Sequence, residues 1–362
     1  MNILRRLPLY RLLTLCGAVV AAGVSVTAIA LAVGSAPKPA PKPLAQALHD
    51  ALAAPPVEGV SADIKLTNRL LEGASLASGS GQAGELSSNP LLAGASGRLW
   101  VSNDGHVRLE LQAEKGDTQV IYDGHTITAY DAATNTLYRY TPSAHATSTS
   151  AGGDSVPSVA KIEEGISHLE EHASVSSATP GDVAGRPTYT VRVAPSEAGS
   201  LLGGAELSFD ADNGAPLRAA IYSSTSNSPV IELAATEVSF GPVPASVFDF
   251  TPPADAKVQE LHFASSGATR QDTPDSGEKP KLTTHGSGPS TIGVLEEKIP
   301  AGAKPGSGGA VEALPKVDIN GVSASELRSE LGTLLSFERA GVRYVLAGAV
   351  DPAAVEALAR GL

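Results

Sequence analysis

The stretch RLWVSNDGHVRLELQAEKGDTQVIYDGHTITAYDAATNTLYRY, Arg98 to Tyr140, decides the fold. Leu99 and Val101 alternate with Trp100 and Ser102, and Asn103-Asp104-Gly105 follows as a turn able to take φ > 0. Val107, Leu109 and Leu111 then alternate with His106, Arg108 and Glu110, the period-two pattern of a half-buried strand. Turns at Lys115-Gly116-Asp117, Asp123-Gly124 and Ala132–Asn135 lead into strands at Thr118–Tyr122, His125–Tyr130 and Thr136–Tyr140. Connections this short join only antiparallel neighbours, so the stretch reads as a β-meander.

The flanks extend the pattern. Upstream, Val60, Ala62, Ile64 and Leu66 alternate with Ser61, Asp63, Lys65 and Thr67, a first long strand. A short helix over Leu44–Ala54 precedes it, with Leu44, Leu48 and Leu52 on one face and Pro55-Pro56 as its stop. Glu72–Gly97 is rich in Gly, Ser and Ala without period, a flexible insertion or lid between strands, and Ser143–Ser155 is a polar loop. Pro157–Ala173 reads as a second helix, with Val159, Ile162, Ile166 and Leu169 at helical spacing. A second set of strands spans Thr188 to Phe250. Tyr189, Val191 and Val193 alternate, Leu207 and Phe209 run into the turn Asp210–Gly214, and Arg218–Ser223, Val230–Ala235 and Glu237–Phe240 follow.

Two segments carry a resemblance. Tyr122-Asp123-Gly124 through Tyr130-Asp131 to Leu137-Tyr138-Arg139 resembles the meander of bacterial lipoprotein carriers of the LolA and LolB type, a fold shared by the amino-terminal domain of RseB- and MucB-type sigma-factor regulators. Phe248-Asp249-Phe250-Thr251-Pro252-Pro253 through Val258 resembles the close of the same fold. The resemblance covers roughly Leu44 to Glu260. It implies an α+β protein with an incomplete antiparallel β-barrel, or half-barrel, whose apolar face is covered by helices and holds acyl chains. It implies no catalysis.

The ends suggest where the body sits. Arg5, Arg6 and Arg11 precede Leu12–Val33, an uncharged run of 22 residues, enough for a bilayer span. Ala30-Leu31-Ala32 offers a signal-peptidase site, so residues 1–36 are either an amino-terminal anchor or a signal peptide. Both readings place the body outside the cytoplasm, tethered by one span or secreted after cleavage. Leu15 is too bulky for a lipobox at Cys16, which reads as an apolar membrane cysteine. Residues 37–43 are a stiff Pro/Lys spacer, 44–260 the half-barrel, and 261–290 a hydrophilic linker.

Residues 291–362 read as a small α+β domain. Its expected elements are strands at Thr291–Leu295 and Val317–Ile319, split by a flexible insertion at Gly302–Gly309. A helix capped by Ser323 with Glu326 runs through Leu331 and stops at Gly332, and a hairpin pairs Thr333–Phe337 with Val342–Leu346. Asp351-Pro352 opens a last helix reaching Arg360. Its closing Leu346-Ala347-Gly348-Ala349-Val350-Asp351-Pro352 resembles the carboxy-terminal domain of RseB-type regulators.

Composition narrows the function. The formal net charge is −12, and the amino-terminal run holds Arg but no acid, so the body is more acidic still. Such a chain is a poor partner for nucleic acid. Its one cysteine lies in the apolar run, which leaves the body without disulfide or thiolate ligands. No nucleophile elbow, phosphate-binding loop or dinucleotide fingerprint is present, and no cofactor is expected. His168-Leu169-Glu170-Glu171-His172 matches an inverted zinc-protease pattern, but no third ligand is evident and the segment reads as a solvated helix face.

The candidate site is therefore a hydrophobic cavity. Alternation points Ile64, Leu66, Leu99, Val101, Leu109, Leu111, Val191, Leu207 and Phe209 inward from the strands, with Ile166 and Leu169 from the helix. The expected ligands are the acyl chains of a lipid or lipoprotein. The alternative is a regulatory module that grips a membrane protein such as an anti-sigma factor.

Overall fold

The structure, a computed structural model, describes residues 38–71, 90–113, 116–142, 156–261, 281–299 and 314–362. The apolar run with Cys16, the loop at 143–155, the insertion at 302–309 and most of the segments read as insertion and linker lie outside the described residues. Among the described residues, no helix is long and apolar enough to cross a membrane.

The chain begins with helix α1 (Leu44–Ala53) and strand β1 (Gly59–Asn68). A single helical turn, α2 (Pro90–Ala93), leads into the meander β2 (Ala95–Ser102), β3 (Val107–Ala113), β4 (Gly116–Tyr122), β5 (Ile127–Asp131) and β6 (Thr136–Tyr140). Helix α3 (Val159–Glu170) follows. Then come β7 (Ala173–Val175), β8 (Thr179–Val183), β9 (Arg186–Pro195), β10 (Leu202–Asp210), β11 (Pro216–Ser223), β12 (Pro229–Phe240) and β13 (Lys257–Leu261).

These form one thirteen-stranded sheet in the order β13-β6-β5-β4-β3-β2-β1-β12-β11-β10-β9-β7, with β8 also paired to β9. All its pairings are antiparallel except β13 with β6. The sheet is not closed into a barrel, and β1 lies inside it, joining the meander to β12–β7. The meander is as expected: Leu99 opposes Leu109, Leu109 opposes Val120, and Val120 opposes Ala129. Its tight turns take positive φ at Gly105, Gly124 and Asn135.

A second sheet, order β14-β15-β19-β18-β17-β16, comprises β14 (Lys281–His285), β15 (Ile292–Lys298), β16 (Lys316–Ile319), β17 (Val322–Ser329), β18 (Gly332–Arg339) and β19 (Val342–Gly348). Helix α4 (Pro352–Arg360) covers one face, and Asp351 caps it by accepting the Ala353 N–H at 2.9 Å. The core between them, including Val294, Leu335, Leu346, Val355 and Ala359, is fully buried. The two sheets touch where the Leu201 N–H donates to the Ala349 carbonyl at 2.7 Å, and where Leu71 packs with Leu314, Leu327 and Leu334.

Five expectations are corrected. The helix expected from Ser323 to Leu331 is strand β17. Asn320 and Gly321 both take positive φ, so they make the tight primed turn that joins β16 to β17, and Gly332 opens β18 rather than stopping a helix. Pairing on both sides, Ala324 with Val317 on β16 and Glu326 with Leu335 on β18, outweighs the capping-box signal. Strand β14 lies within the segment read as linker, held by pairing to β15. Pro90–Gly97, read as insertion, is α2 and the start of β2. Val230–Ala235 and Glu237–Phe240 are one strand, bulged where Asp63 and Ile64 oppose Glu237 and Ala235 and leave Thr236 unmatched. The second helix is shorter than Pro157–Ala173, because Ala173–Val175 instead pair with β9 as β7.

Candidate ligand cavity

Strand pairing carries one apolar face across the middle of the large sheet. Val191 opposes Leu207, Leu207 opposes Ala219, Ala219 opposes Leu233, and Leu233 opposes Leu66. Side chains on opposed residues share a face, so this row fixes the direction of every second residue on the strands involved. Helix α1 packs on the same face, with Ala47 in contact with the Tyr189 and Phe209 cluster.

On that face the large sheet encloses a cavity of about 130 Å³. Val60, Ala62 and Ile64 of β1 form part of its wall, with Leu99 and Val101 of β2 and Leu207 of β10. Leu217 and Ala219 of β11 and Leu233, Ala235 and Val238 of β12 complete it. The void has a simple origin. Ala62, Ala215, Ala219 and Ala235 place a methyl group where neighbours on the same face carry leucine or isoleucine, so volume is missing. An apolar void of roughly 150 Å³ stays dry and admits a benzene-sized group, whereas pockets for whole drug-sized ligands run to about 300 Å³ and above. The cavity thus suits the end of an apolar chain, not an entire lipid.

The cavity opens at one end of the sheet. Its rim is made by Pro56 and Val57 after α1, by Ser102 and Asn103 at the end of β2, and by Asn213–Pro216 where the turn after β10 enters β11. Asp104, beside this rim, accepts from the Ser102 hydroxyl and lies 2.8 Å from His106 Nδ1. These contacts, the hydroxyl's first, hold its carboxyl at about 2, so it is ionised across the physiological range.

The side chains singled out in the sequence are distributed as follows. Ile64, Leu99, Val101 and Leu207 line the cavity. Leu66, Leu109 and Leu111 are buried beside it in one cluster with Ile64 and Leu233. Phe209 packs against Tyr189, ring centroids 6.0 Å apart, under α1. Val191 and Ile166 are half-buried and outside the wall, and Leu169 is 42% exposed on the outer side of α3. Sequence reasoning passed over Leu217, Ala219, Leu233, Ala235 and Val238. All five lie on β11 and β12, whose inward face is fixed by pairing to β1 and β10, and the alanines among them are too small to stand out as apolar positions.

The opposite face of β9–β12 is held by charge. Arg218 donates to Glu206 at 2.9 Å and Glu232 at 3.0 Å, Arg192 reaches Glu206 at 3.2 Å, and the Tyr222 hydroxyl donates to Glu206 at 2.7 Å. The Arg192 guanidinium also lies 4.3 Å from the Tyr222 ring centre. Burial by itself would raise the Glu206 carboxyl, but hydrogen bonds from Arg218, Tyr222 and Arg192 outweigh it and hold the group below the usual range. This ladder spans all four strands and so fixes the register of much of the cavity wall. On the meander, Arg108 plays a comparable part, donating to the carbonyls of Val247 at 2.7 Å and Asp249 at 3.1 Å. It pins the segment whose Phe248 and Phe250 pack on His106 and Tyr130.

His168 and Glu171 pair at 3.1 Å on an exposed part of α3. Among the described residues, no three His, Cys, Asp or Glu side chains converge as a metal site would require.

Solved structures similar to this chain include MucB in complex with MucA(peri), 16% identical, covering 87% of this chain and 94% of that one with a TM-score of 0.42. The MucA/MucB complex of Pseudomonas aeruginosa is likewise 16% identical, covering 87% and 96% with a TM-score of 0.44. A LolA superfamily protein from Nitrosomonas europaea is 8% identical, covering 58% and 98% with a TM-score of 0.24. The chain is similar to MucB and to LolA-superfamily proteins. No family model matches it, and no curated protein does.

Proposed function

We propose that this is a non-catalytic binding protein of the cell envelope that seats the end of an acyl chain, from a lipid or a lipoprotein, in the cavity between β1, β2 and β10–β12. In this reading residues 44–260 are the binding domain, a half-barrel, and residues 291–362 a small second domain. The body lies outside the cytoplasm, tethered by residues 12–33 or released by cleavage after them. One observation carries the reading: an apolar void lined by alanines on the face that the strand register makes apolar. Burying an acyl end there gains about 0.8 kcal/mol per methylene.

The test is native mass spectrometry with lipid extraction on the full-length chain from a bacterial host. A discrete added mass resolving into a lipid or an acylated peptide is the expected result. Its disappearance in Ala219→Phe, with folding retained, would tie it to the cavity. Apo protein that also ignores a fluorescent acyl probe would sink the reading.

A second reading has its own observation. Strands β13 and β14 lie at the edges of the two sheets and expose Val258 (54%) and Leu282 (66%). Exposed edges with apolar side chains are templates for an added strand. MucB is solved in complex with MucA(peri), and a membrane-protein segment such as that of an anti-sigma factor is the partner this reading assigns here. Stable capture of such a segment by lipid-free protein, lost in Leu282→Lys, would favour it.

A further inference from the structure

The mouth of the cavity has a charge pattern of its own. Each of the three segments that form the rim carries one exposed acid next to a lining residue: Glu58 beside Val57, Asp104 beside Asn103, and Asp212 beside Asn213. The bases nearby are engaged. Arg186 serves Asp212 at 3.1 Å while also holding the fully buried Asp210 at 2.7 Å, so one cation faces two carboxylates. Arg218 is the one charged residue among those that line the cavity, and its side chain lies on the opposite face, bound by Glu206 and Glu232. The Asp104 carboxyl stays ionised down to about pH 2.

Those facts separate two jobs at one site. The wall recognises an apolar chain and carries no group that reads a head. The rim lies where the chain's polar end must emerge, and its excess of carboxylates repels an anion. Like charges a few ångströms apart at a protein surface repel by about 1 kcal/mol or more, and salt screens this over roughly 8 Å.

We infer that the mouth selects the polar end of the ligand, admitting acyl chains with an uncharged or cationic head and rejecting those with an anionic head. The inference rests on the acyl-chain reading and deepens it. The ligand class becomes an acyl chain in ester or amide linkage with no anion at the junction, which excludes free fatty acids and simple anionic lysophospholipids. An acylated peptide end and a neutral acylglycerol share that chemistry.

The test is displacement of a fluorescent acyl probe from the full-length chain held in amphipol. Competitors carry the same dodecanoyl chain on different heads: glycerol, a neutral dipeptide amide, a quaternary ammonium, a free carboxylate and a phosphoglycerol. The uncharged and cationic competitors are expected to displace the probe about tenfold better than the two anions, with the gap closing at high salt. Glycerol against dipeptide amide then distinguishes a lipid source from an acylated peptide. The exposed rim permits mild variants: Glu58→Gln with Asp104→Asn and Asp212→Asn should raise affinity for the anions and leave glycerol unchanged. Equal displacement by every head, or tighter binding of anions, would overturn the selection while leaving the cavity as an acyl site. An acyl probe that does not bind at all would remove the acyl reading and this inference with it.

Discussion

The two sheets of this protein solve the same packing problem with opposite outcomes. Each has an apolar face that must be covered. In the second sheet, Leu335, Leu346, Ile319, Val294 and Phe337 meet Val355 and Ala359 of α4, and all are buried to 2% exposure or less. In the large sheet, the corresponding face is studded with alanine and keeps an opening at the strand ends, so a void survives. The difference teaches that the void is not a by-product of a sheet twisting against a helix. It follows from residue size at particular registers, which is how a chain with one kind of apolar patterning can build a scaffold in one place and a receptacle in another.

The largest expected effect is in the packed sheet. Leu335→Ala should cost about 2–5 kcal/mol in denaturant unfolding, because its neighbours cannot collapse into the hole. A loss under 1 kcal/mol, ~1 being the cost of a mild truncation, would mean that core is looser than described.

Next is the charged ladder behind the cavity. Glu206 has its carboxyl lowered in the folded state, so its stabilisation is complete above the unfolded value and drains away as pH falls through the folded one. Glu206→Gln should therefore lower stability by about 1.5–3 kcal/mol at neutral pH and flatten the acid limb of a stability–pH curve. An acid limb identical in both proteins would show that the ladder does not hold the wall.

A matched pair of substitutions addresses the comparison most directly. Ala324→Leu, into the fully buried core of the second sheet, should destabilise by about 1–3 kcal/mol through overpacking. Ala219→Leu, into the void, should change stability by less than about 1 kcal/mol and weaken acyl-probe binding. Equal costs at the two sites would erase the distinction. The smallest effect belongs to the cap of α4: Asp351→Ala should cost about 1 kcal/mol, seen as a small drop in midpoint with an unchanged slope.

Legibility varied with the range of the interaction that decides each feature. The meander could be read because Asn103-Asp104-Gly105 and Asp123-Gly124 are local turn signals, and the strands between them alternate strictly. The Asp351-Pro352 helix start was legible for the same reason. Ser323 and Glu326 misled because a capping box and a strand share those residues, and pairing with β16 and β18 settles the matter only in three dimensions. Strand β14 was invisible in its Lys-Leu-Thr-Thr-His sequence because its ladder to β15 supplies the order.

The sequence by itself determined which face of each strand in the meander, β1 and β10 is apolar, where the tight turns fall, and that the body is acidic and without cysteine. Those properties depend on residue type and spacing over a few positions. Tertiary structure decided that Ile64, Leu99, Val101 and Leu207 share a wall while Phe209 serves α1 and Leu169 faces outward. It also decided that alanines from β1, β11 and β12, far apart in the chain, fall on one face of the sheet and leave a space. A void is a sum over neighbours on different strands, and no single stretch of sequence contains that sum.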